Sequence, residues 1–426
     1  MVVIKKKKKV SARSAFSTAN IGGIKKKVLN GSGSRLRGKV LVKRKKIVKK
    51  IVRVIKASKA VKTIKVVKKV SSKKYPLLDL KRSHKNPIIK PASHRYWESR
   101  ATFNPTALFH DGKVHIVYRA IGDSDNSVLG YANSDDGIEI GDSYAHPIYF
   151  HFTRENKDIS LPSAPYSSGG GWGGGCEDPR LTLIDEKVYM LYTAFDGWGS
   201  IRIALTFISL DDFISRRWNW KSPVLISPPG QINKNWVLFP KKIRKDGKDK
   251  YAILHSISPK IMIDYFDSMD ELDGDNFIYS IHQGSKLWQA RDRFIRGIGP
   301  SPLLTKYGWL VIYHKMERHD SHRYKLWAMV LDKKDPTKIL YNSNQPILEP
   351  DVWYENDGYK SGVVYSCGAI IKPNKDGEDE LFVYYGGADT VSCVATANLD
   401  SFLKELINSN KPLLTDNKDN VKKLEK

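Results

Sequence analysis

Ala107-Leu108-Phe109-His110-Asp111-Gly112-Lys113-Val114-His115-Ile116-Val117-Tyr118-Arg119 is the stretch on which the fold turns. Val114, Ile116 and Tyr118 alternate with other residues at the period of two that puts side chains on one face of a strand. Asp111-Gly112 is the residue pair that a tight hairpin turn asks for. The stretch therefore reads as strand, turn, strand, and the second strand ends in an aromatic residue followed by arginine.

The same unit recurs four more times down the chain. Leu181–Ile184, the turn Asp185-Glu186 and Val188–Tyr192 form the second copy, closing at Leu210-Asp211. Lys242-Ile243, Asp246-Gly247 and Tyr251–Leu254 form the third, closing at Met269-Asp270. Leu303-Leu304, Tyr307-Gly308 and Trp309–Tyr313 form the fourth, closing at Leu331-Asp332. Ala369–Ile371, Asp376-Gly377 and Leu381–Tyr385 form the fifth, closing at Leu399-Asp400, while the first closes at Ser134-Asp135-Asp136. The spacing averages about 66 residues, longer than the ~40–50 of common four-stranded propeller repeats, which leaves room for long loops. An all-β chain of this length must protect its sheet edges, and radial repetition does so. The expectation is a five-bladed β-propeller over residues 75–410, with a β-sandwich pair or a β-helix as competing architectures.

Charge confirms where this body begins. The chain of 426 residues carries a formal charge of +27, and residues 1–74 alone hold 27 Lys and Arg with no Asp or Glu. The rest balances 45 basic against 45 acidic residues, which excludes a basic nucleic-acid groove as its organising idea. The tail cannot bury enough apolar surface to offset its ordering entropy, and is expected to be a disordered extension. Ile47, Ile51 and Ile55 recur at four-residue spacing, so a basic helix on anionic lipid and attachment to nucleic acid both stay open beside a tail without function. Residues 411–426 read as a second charged tail. Three cysteines, no apolar run near the ~18 residues of a spanning helix, and no signal-peptide core point to a cytoplasmic protein.

In a propeller, polar residues at strand entrances converge on the central funnel. Asn104 before Pro105, Arg119, Asp178 in Cys176-Glu177-Asp178-Pro179-Arg180, and Asp389 in Tyr385-Gly386-Gly387-Ala388-Asp389 occupy such places. The bland readings are that Asn104 and Asp178 start turns ahead of proline and that Arg119 latches a blade through Asp135 or Asp136. Glu177 and Asp178 are adjacent in an extended segment and so should face opposite ways, one an acid and one a latch. The Gly169–Gly175 loop bearing Trp172 lacks the Gly-Lys-Ser/Thr of a nucleotide cradle and suits a lip over a sugar. His314, His319 and His322 match no zinc spacing, so no metal is expected.

Taken in order, these segments resemble glycoside hydrolase family 130. The resemblance rests on Asn104-Pro105, Tyr118-Arg119-Ala120, Glu177-Asp178-Pro179-Arg180, Val237-Leu238-Phe239-Pro240, Gly308-Trp309-Leu310-Val311-Ile312-Tyr313-His314 and Tyr384-Tyr385-Gly386-Gly387-Ala388-Asp389-Thr390. It spans about residues 86 to 402 and implies an inverting enzyme on β-mannoside oligosaccharides with a five-bladed propeller fold. By the resemblance, Asp178 is the catalytic acid, while Asn104, Arg119 and Asp389 hold the mannosyl ring. Lys234 and His314 match two cations that hold inorganic phosphate as co-substrate in the phosphorylases, and Arg296 lies near a third such position. Ser256 stands where another cation is usual. That loss tips the expectation towards hydrolysis, with Glu317, Asp292 and Asp123 as candidate bases, and leaves phosphorolysis to mannose 1-phosphate as the alternative. A silent glycan- or protein-binding propeller is the competitor from another class, and no cofactor is implied.

Overall fold

The computed structural model describes residues 78–150, 174–195, 201–282 and 284–409. The Lys-rich tail, the C-terminal tail and the Gly169–Gly175 lip up to Gly173 lie outside them. A short strand β1 (Lys81–Arg82) comes first. Five antiparallel units then follow one another. Unit one is β2 (Ala101–His110), β3 (Lys113–Ile121), β4 (Asn126–Ser134) and β5 (Asp142–Ser143), and unit two is β6 (Gly174–Ile184), β7 (Lys187–Phe195), β8 (Ile201–Ser209) and β9 (Val224–Leu225). Unit three is β10 (Val237–Leu238), β11 (Ile243–Lys245), β12 (Lys248–Ser256) and β13 (Met262–Phe266). Unit four is β14 (Ile295–Ile298), β15 (Leu303–Thr305), β16 (Gly308–Glu317), β17 (Asp320–Leu331) and β18 (Ile339–Asn342). Unit five is β19 (Val364–Pro373), β20 (Asp379–Gly387) and β21 (Val391–Asn398), and β1 pairs with β21 to give it a fourth strand. The fold is all-β, as the repeat predicts.

The hairpins form where the turn residues place them. Asp111-Gly112 and Asp246-Gly247 both have positive φ at both positions, the left-handed geometry that matches strand twist. Asp185-Glu186 does the same without glycine. The Leu-Asp steps do close strands: Leu331 ends β17, and Leu210 and Leu399 directly follow β8 and β21. Leu210 and Leu399 open helices α1 (Leu210–Ile214) and, later in the chain, α4 (Leu399–Asn408), capped by Ser209 and Asn398. Their leucines are buried and their aspartates favour the first turn. Between these helices lie α2 (Lys286–Ala290) and α3 (Trp353–Asn356).

Apolar side chains fill the spaces between successive units. Val117 and Leu129 of unit one pack with Val188 and Met190 of unit two, and Leu191 and Ile203 pack with Ile253 of unit three. Leu254 packs with Val311 and Met329 of unit four, and Ile312 and Ala328 pack with Val383 and Tyr385 of unit five. Ile370 and Tyr384 of unit five then return to Val114 and Ile116 of unit one.

The first strands of several units are bulged. The ladder between β2 and β3 slips between Phe103 and Thr106, and that between β6 and β7 slips between Glu177 and Arg180. The residues at the slips, Asn104 and Asp178, have φ of 49° and 54°. Asn and Asp tolerate this left-handed region, and the following Pro105 and Pro179 give up no ladder hydrogen bond at a bulge. Asn-Pro and Asp-Pro are thus bulges inside strands, and the expectation that they start turns is corrected.

Candidate active site

The two bulges turn their polar side chains towards each other. Asn104 Nδ2 donates to Asp178 Oδ1 at 2.8 Å, although 74 residues separate them. The positive φ at Asp178 also breaks strand alternation, so Glu177 and Asp178 do not face opposite ways. Both reach Arg119, whose Nη2 lies 2.8 Å from Glu177 and whose Nη1 lies 3.4 Å from Asp178. Arg119 also donates to Ser127 Oγ at 2.9 Å and sits over the Phe103 ring. Its latch is therefore the Glu177–Asp178 pair and not Asp135 or Asp136. Only Asp178 of the two carboxylates lines the cavity, and Glu177 is 1% exposed.

Asp389 comes to the same wall through the Gly386–Asp389 turn. A side chain on Gly386 would strike Asn104 Oδ1, so this glycine makes room for the asparagine. Ala388 and Asp389 both have positive φ, which aims the carboxylate inward. Asn104 Oδ1 has no partner among the described residues, nor has Asn233 Nδ2, and both residues line the cavity. Each is a ready hydrogen-bonding group for a polyol.

The cavity has a volume of about 350 Å³. Four cations line it as well: Lys234, Arg291, Arg296 and Lys360, with Ser256, Tyr324 and Tyr365. Arg296 Nε donates to Tyr324 OH at 2.9 Å, and Arg291 covers the Trp288 ring at 3.5 Å. Arg180, buried and invisible to the cavity, ties the walls together. It donates to Asp178 O at 2.7 Å, Gly299 O at 2.8 Å and Asn235 Oδ1 at 3.0 Å. Asn235 Oδ1 also accepts from Tyr365 OH at 2.6 Å, and Asn235 Nδ2 donates to Arg296 O.

Electrostatics follow from these neighbours. Burial pushes Asp178 up, but Arg119, Arg180, the Asn104 hydrogen bond and Lys234 together hold its carboxyl below the usual range. Glu177 moves the other way, because burial and the Asp178 charge outweigh Arg119. Burial raises Asp389 to about 6 against the pull of Lys360 and Arg119. Lys234 is lowered by burial and by the like charges of Lys360 and Arg296, against the attraction of Glu177 and Asp178.

The structure thus gathers Asn104, Arg119, Asp178, Asp389, Lys234 and Arg296 around one cavity. It does not bring His314 there. That imidazole is wholly buried, stacks under Tyr365 at 3.9 Å, and accepts the Ser366 N–H through Nε2 at 3.0 Å. Burial and the Arg180 charge lower it to about 3, so it is a neutral prop and no cation. Of the candidate bases, Glu317 pairs with Lys325 and Asp123 accepts from Ser99, both away from the cavity. Asp292 lines it, but its Oδ1 accepts the Phe294 N–H. Asn235, Tyr324, Tyr365 and Lys360 escape a sequence reading. Asn235 beside Lys234 carries a faint signal, and Lys360 in Gly358-Tyr359-Lys360-Ser361-Gly362 carries none. No group of His, Cys, Asp or Glu among the described residues is arranged to hold a metal.

Fold and site are those of a glycoside-acting enzyme. A profile of glycoside hydrolase family 130, described as beta-1,4-mannooligosaccharide phosphorylase, matches residues 79–408, and the chain belongs to that family. It is similar to a 1,2-beta-oligomannan phosphorylase of Thermoanaerobacter sp. (34% identity, 75% of this chain, 97% of the relative). It is also similar to a beta-1,2-mannobiose phosphorylase of the same organism (33%, 73% and 94%). Among solved structures, the beta-1,2-mannobiose phosphorylase of Listeria innocua, in complex with beta-1,2-mannobiose, shares the fold. Its TM-score is 0.53 at 22% identity, over 77% of this chain and 99% of that one.

Proposed function

We propose that the protein is an inverting β-mannoside phosphorylase built as a five-bladed propeller, with inorganic phosphate as co-substrate. The observation that carries this reading is one cavity lined by Asp178 together with Lys234, Arg291, Arg296 and Lys360. Several fixed donors suit a phosphate dianion, with guanidinium groups able to give two parallel bonds. The five interfaces between units, ending with unit five on unit one, support the propeller. Ser256 argues for hydrolysis in the sequence, yet the site keeps four cations, and of the three candidate bases only Asp292 lines the cavity. We therefore favour the phosphorylase alternative over hydrolysis, in line with relatives named as phosphorylases. Relatives named for β-1,2-linked mannans make that linkage the first to test.

In the proposed step, a phosphate oxygen forms a bond to the anomeric carbon as the bond from that carbon to the glycosidic oxygen breaks. Asp178 gives its proton to the departing oxygen, by way of a ring hydroxyl as the family resemblance implies. The phosphate ester formed loses a proton to solvent, and Asp178 regains one. Asn104, Arg119 and Asp389 hold the mannosyl ring. A dianion beside Lys234 offsets one of the charges that hold Asp178 ionised and so favours the protonated acid.

Product analysis on β-1,2- and β-1,4-mannobiose, with and without millimolar phosphate, tests the reading. Mannose 1-phosphate formed only when phosphate is present is the expected result. Free mannose at a rate indifferent to phosphate would overturn it in favour of hydrolysis. Binding of oligomannoside without any product would make the chain a binding module.

A further inference from the structure

β12 brings no cation to the cavity. Ser256 lines it with a short neutral side chain, and its hydroxyl donates to Ser258 O at 3.2 Å. A positive charge arrives instead from the loop between α3 and β19, which carries Lys360. This loop is fixed at each end. Glu355, wholly buried, accepts Arg82 Nε at 2.7 Å, Arg82 Nη2 at 2.9 Å and Tyr385 OH at 2.8 Å. The Glu355 carbonyl accepts the N–H groups of Gly362 and Val363. Lys360 N donates to Ala388 O at 3.0 Å, beside Asp389, and Tyr324 N donates to Gly362 O at 2.9 Å.

Tyr324 gathers two cations. Lys360 Nζ lies 4.6 Å from the centre of its ring, and Arg296 Cζ lies 5.4 Å from the same point. Arg296 is held further by its bond to the phenol oxygen. A ring face attracts a cation, so one tyrosine can keep two like charges at a common edge of the cavity. Their mutual repulsion is relieved by a bound anion.

Resting on the phosphorolysis reading, the geometry points to Lys360 as a phosphate-binding residue that makes good the cation missing at Ser256, with Tyr324 holding it beside Arg296. The anion seat of this chain is thereby moved from unit three towards the junction of units four and five. Lys360 also faces Asp389, so the competing role is to steady the sugar wall.

Initial rates of the full chain on β-1,2-mannobiose and inorganic phosphate separate these roles. Lys360→Met should raise KM for phosphate ~10–100-fold, the scale for a lost hydrogen bond to a charged group, and leave KM for mannobiose within about threefold. Lys360→Arg should recover most of the loss, as should Ser256→Arg added to Lys360→Met. Thermal melts of each variant should match wild type, which separates binding from folding. An unchanged KM for phosphate in Lys360→Met, or a rise in KM for mannobiose alone, overturns the inference while phosphorolysis stands. Wild-type turnover indifferent to phosphate overturns phosphorolysis and this inference together.

Discussion

The two walls of the cavity are built in different ways. The acidic wall, with Asn104, Arg119, Asp178 and Asp389, stands on strand bulges, β3 and a glycine turn, and Asn104 and Arg119 both bond Asp178. The cationic wall, with Lys234, Arg291, Arg296 and Lys360, stands largely on loops and irregular segments and holds like charges side by side. The first is tied together by its own pairs; in the second, Lys234 is drawn to Glu177 and Asp178 but repelled by Lys360 and Arg296. Charges that pair inside the protein become part of the fold, whereas charges that crowd are available to a ligand.

Variants can break this comparison. Asp178→Asn should lower kcat about 10²–10⁴-fold, the range for a lost general acid, and should also lower the melting temperature at neutral pH, because Arg119 and Arg180 stabilise the charge it removes. Near-normal turnover would move the acid elsewhere. Arg119→Met should destabilise the protein by roughly 3–5 kcal/mol in a denaturant titration, since it strands a buried Glu177 beside Asp178. A small change would show that the acidic wall is less interlocked than its contacts suggest.

Asp389 tests the same wall by pH. Its carboxyl rises from 3.8 to about 6 on folding, so the folded state binds its proton more tightly than the unfolded chain. Stability is therefore lost as pH climbs from about 4 to about 6 and stays lower above that. Asp389→Asn should raise stability at pH 8 by at most about 3 kcal/mol and weaken mannoside binding. A loss of stability at pH 8 would refute the shift.

The cationic wall predicts smaller effects on folding. Phosphate titrated calorimetrically in buffers of differing ionisation enthalpy should show proton uptake of up to about one per site near neutral pH, as Asp178 gains its proton. Arg291→Met should leave the melting temperature unchanged or slightly raised, because burial and Arg296 already work against that charge. A clear drop would mean that the cationic wall, too, is part of the fold.

The same contrast decides what the sequence discloses. Asn104-Pro105, Asp178-Pro179 and the Gly386–Asp389 turn are local signals, because a bulge or a left-handed turn needs its own residues in a row. Alternating apolar residues and Asp-Gly turns announce the strands for the same reason. Lys360 and Tyr324 give no such sign, since only tertiary packing brings their loop and strand together. His314 misleads in the opposite direction. The sequence puts it at a strand end, but β16 runs on to Glu317 and the Tyr365 ring covers it. The bulge at Asp178 likewise defeats the alternation rule that would send Glu177 the other way.

One pairing has a consequence for how the molecule is made. β1 joins β21, and Arg82 reaches Glu355 across 273 residues of chain. The fifth unit gains its last strand from the opposite end of the described chain, so its sheet stays incomplete on the ribosome until almost everything has been synthesised. Contacts of such long sequence separation close slowly, at the cost of a large loop entropy. Early units can form while the chain is still emerging, but the Arg82–Glu355 pair beneath the Lys360 loop must wait for the far end of the chain. A nascent chain that stalls short of β21 lacks the strand to which β1 pairs, and its fifth unit stays unfinished.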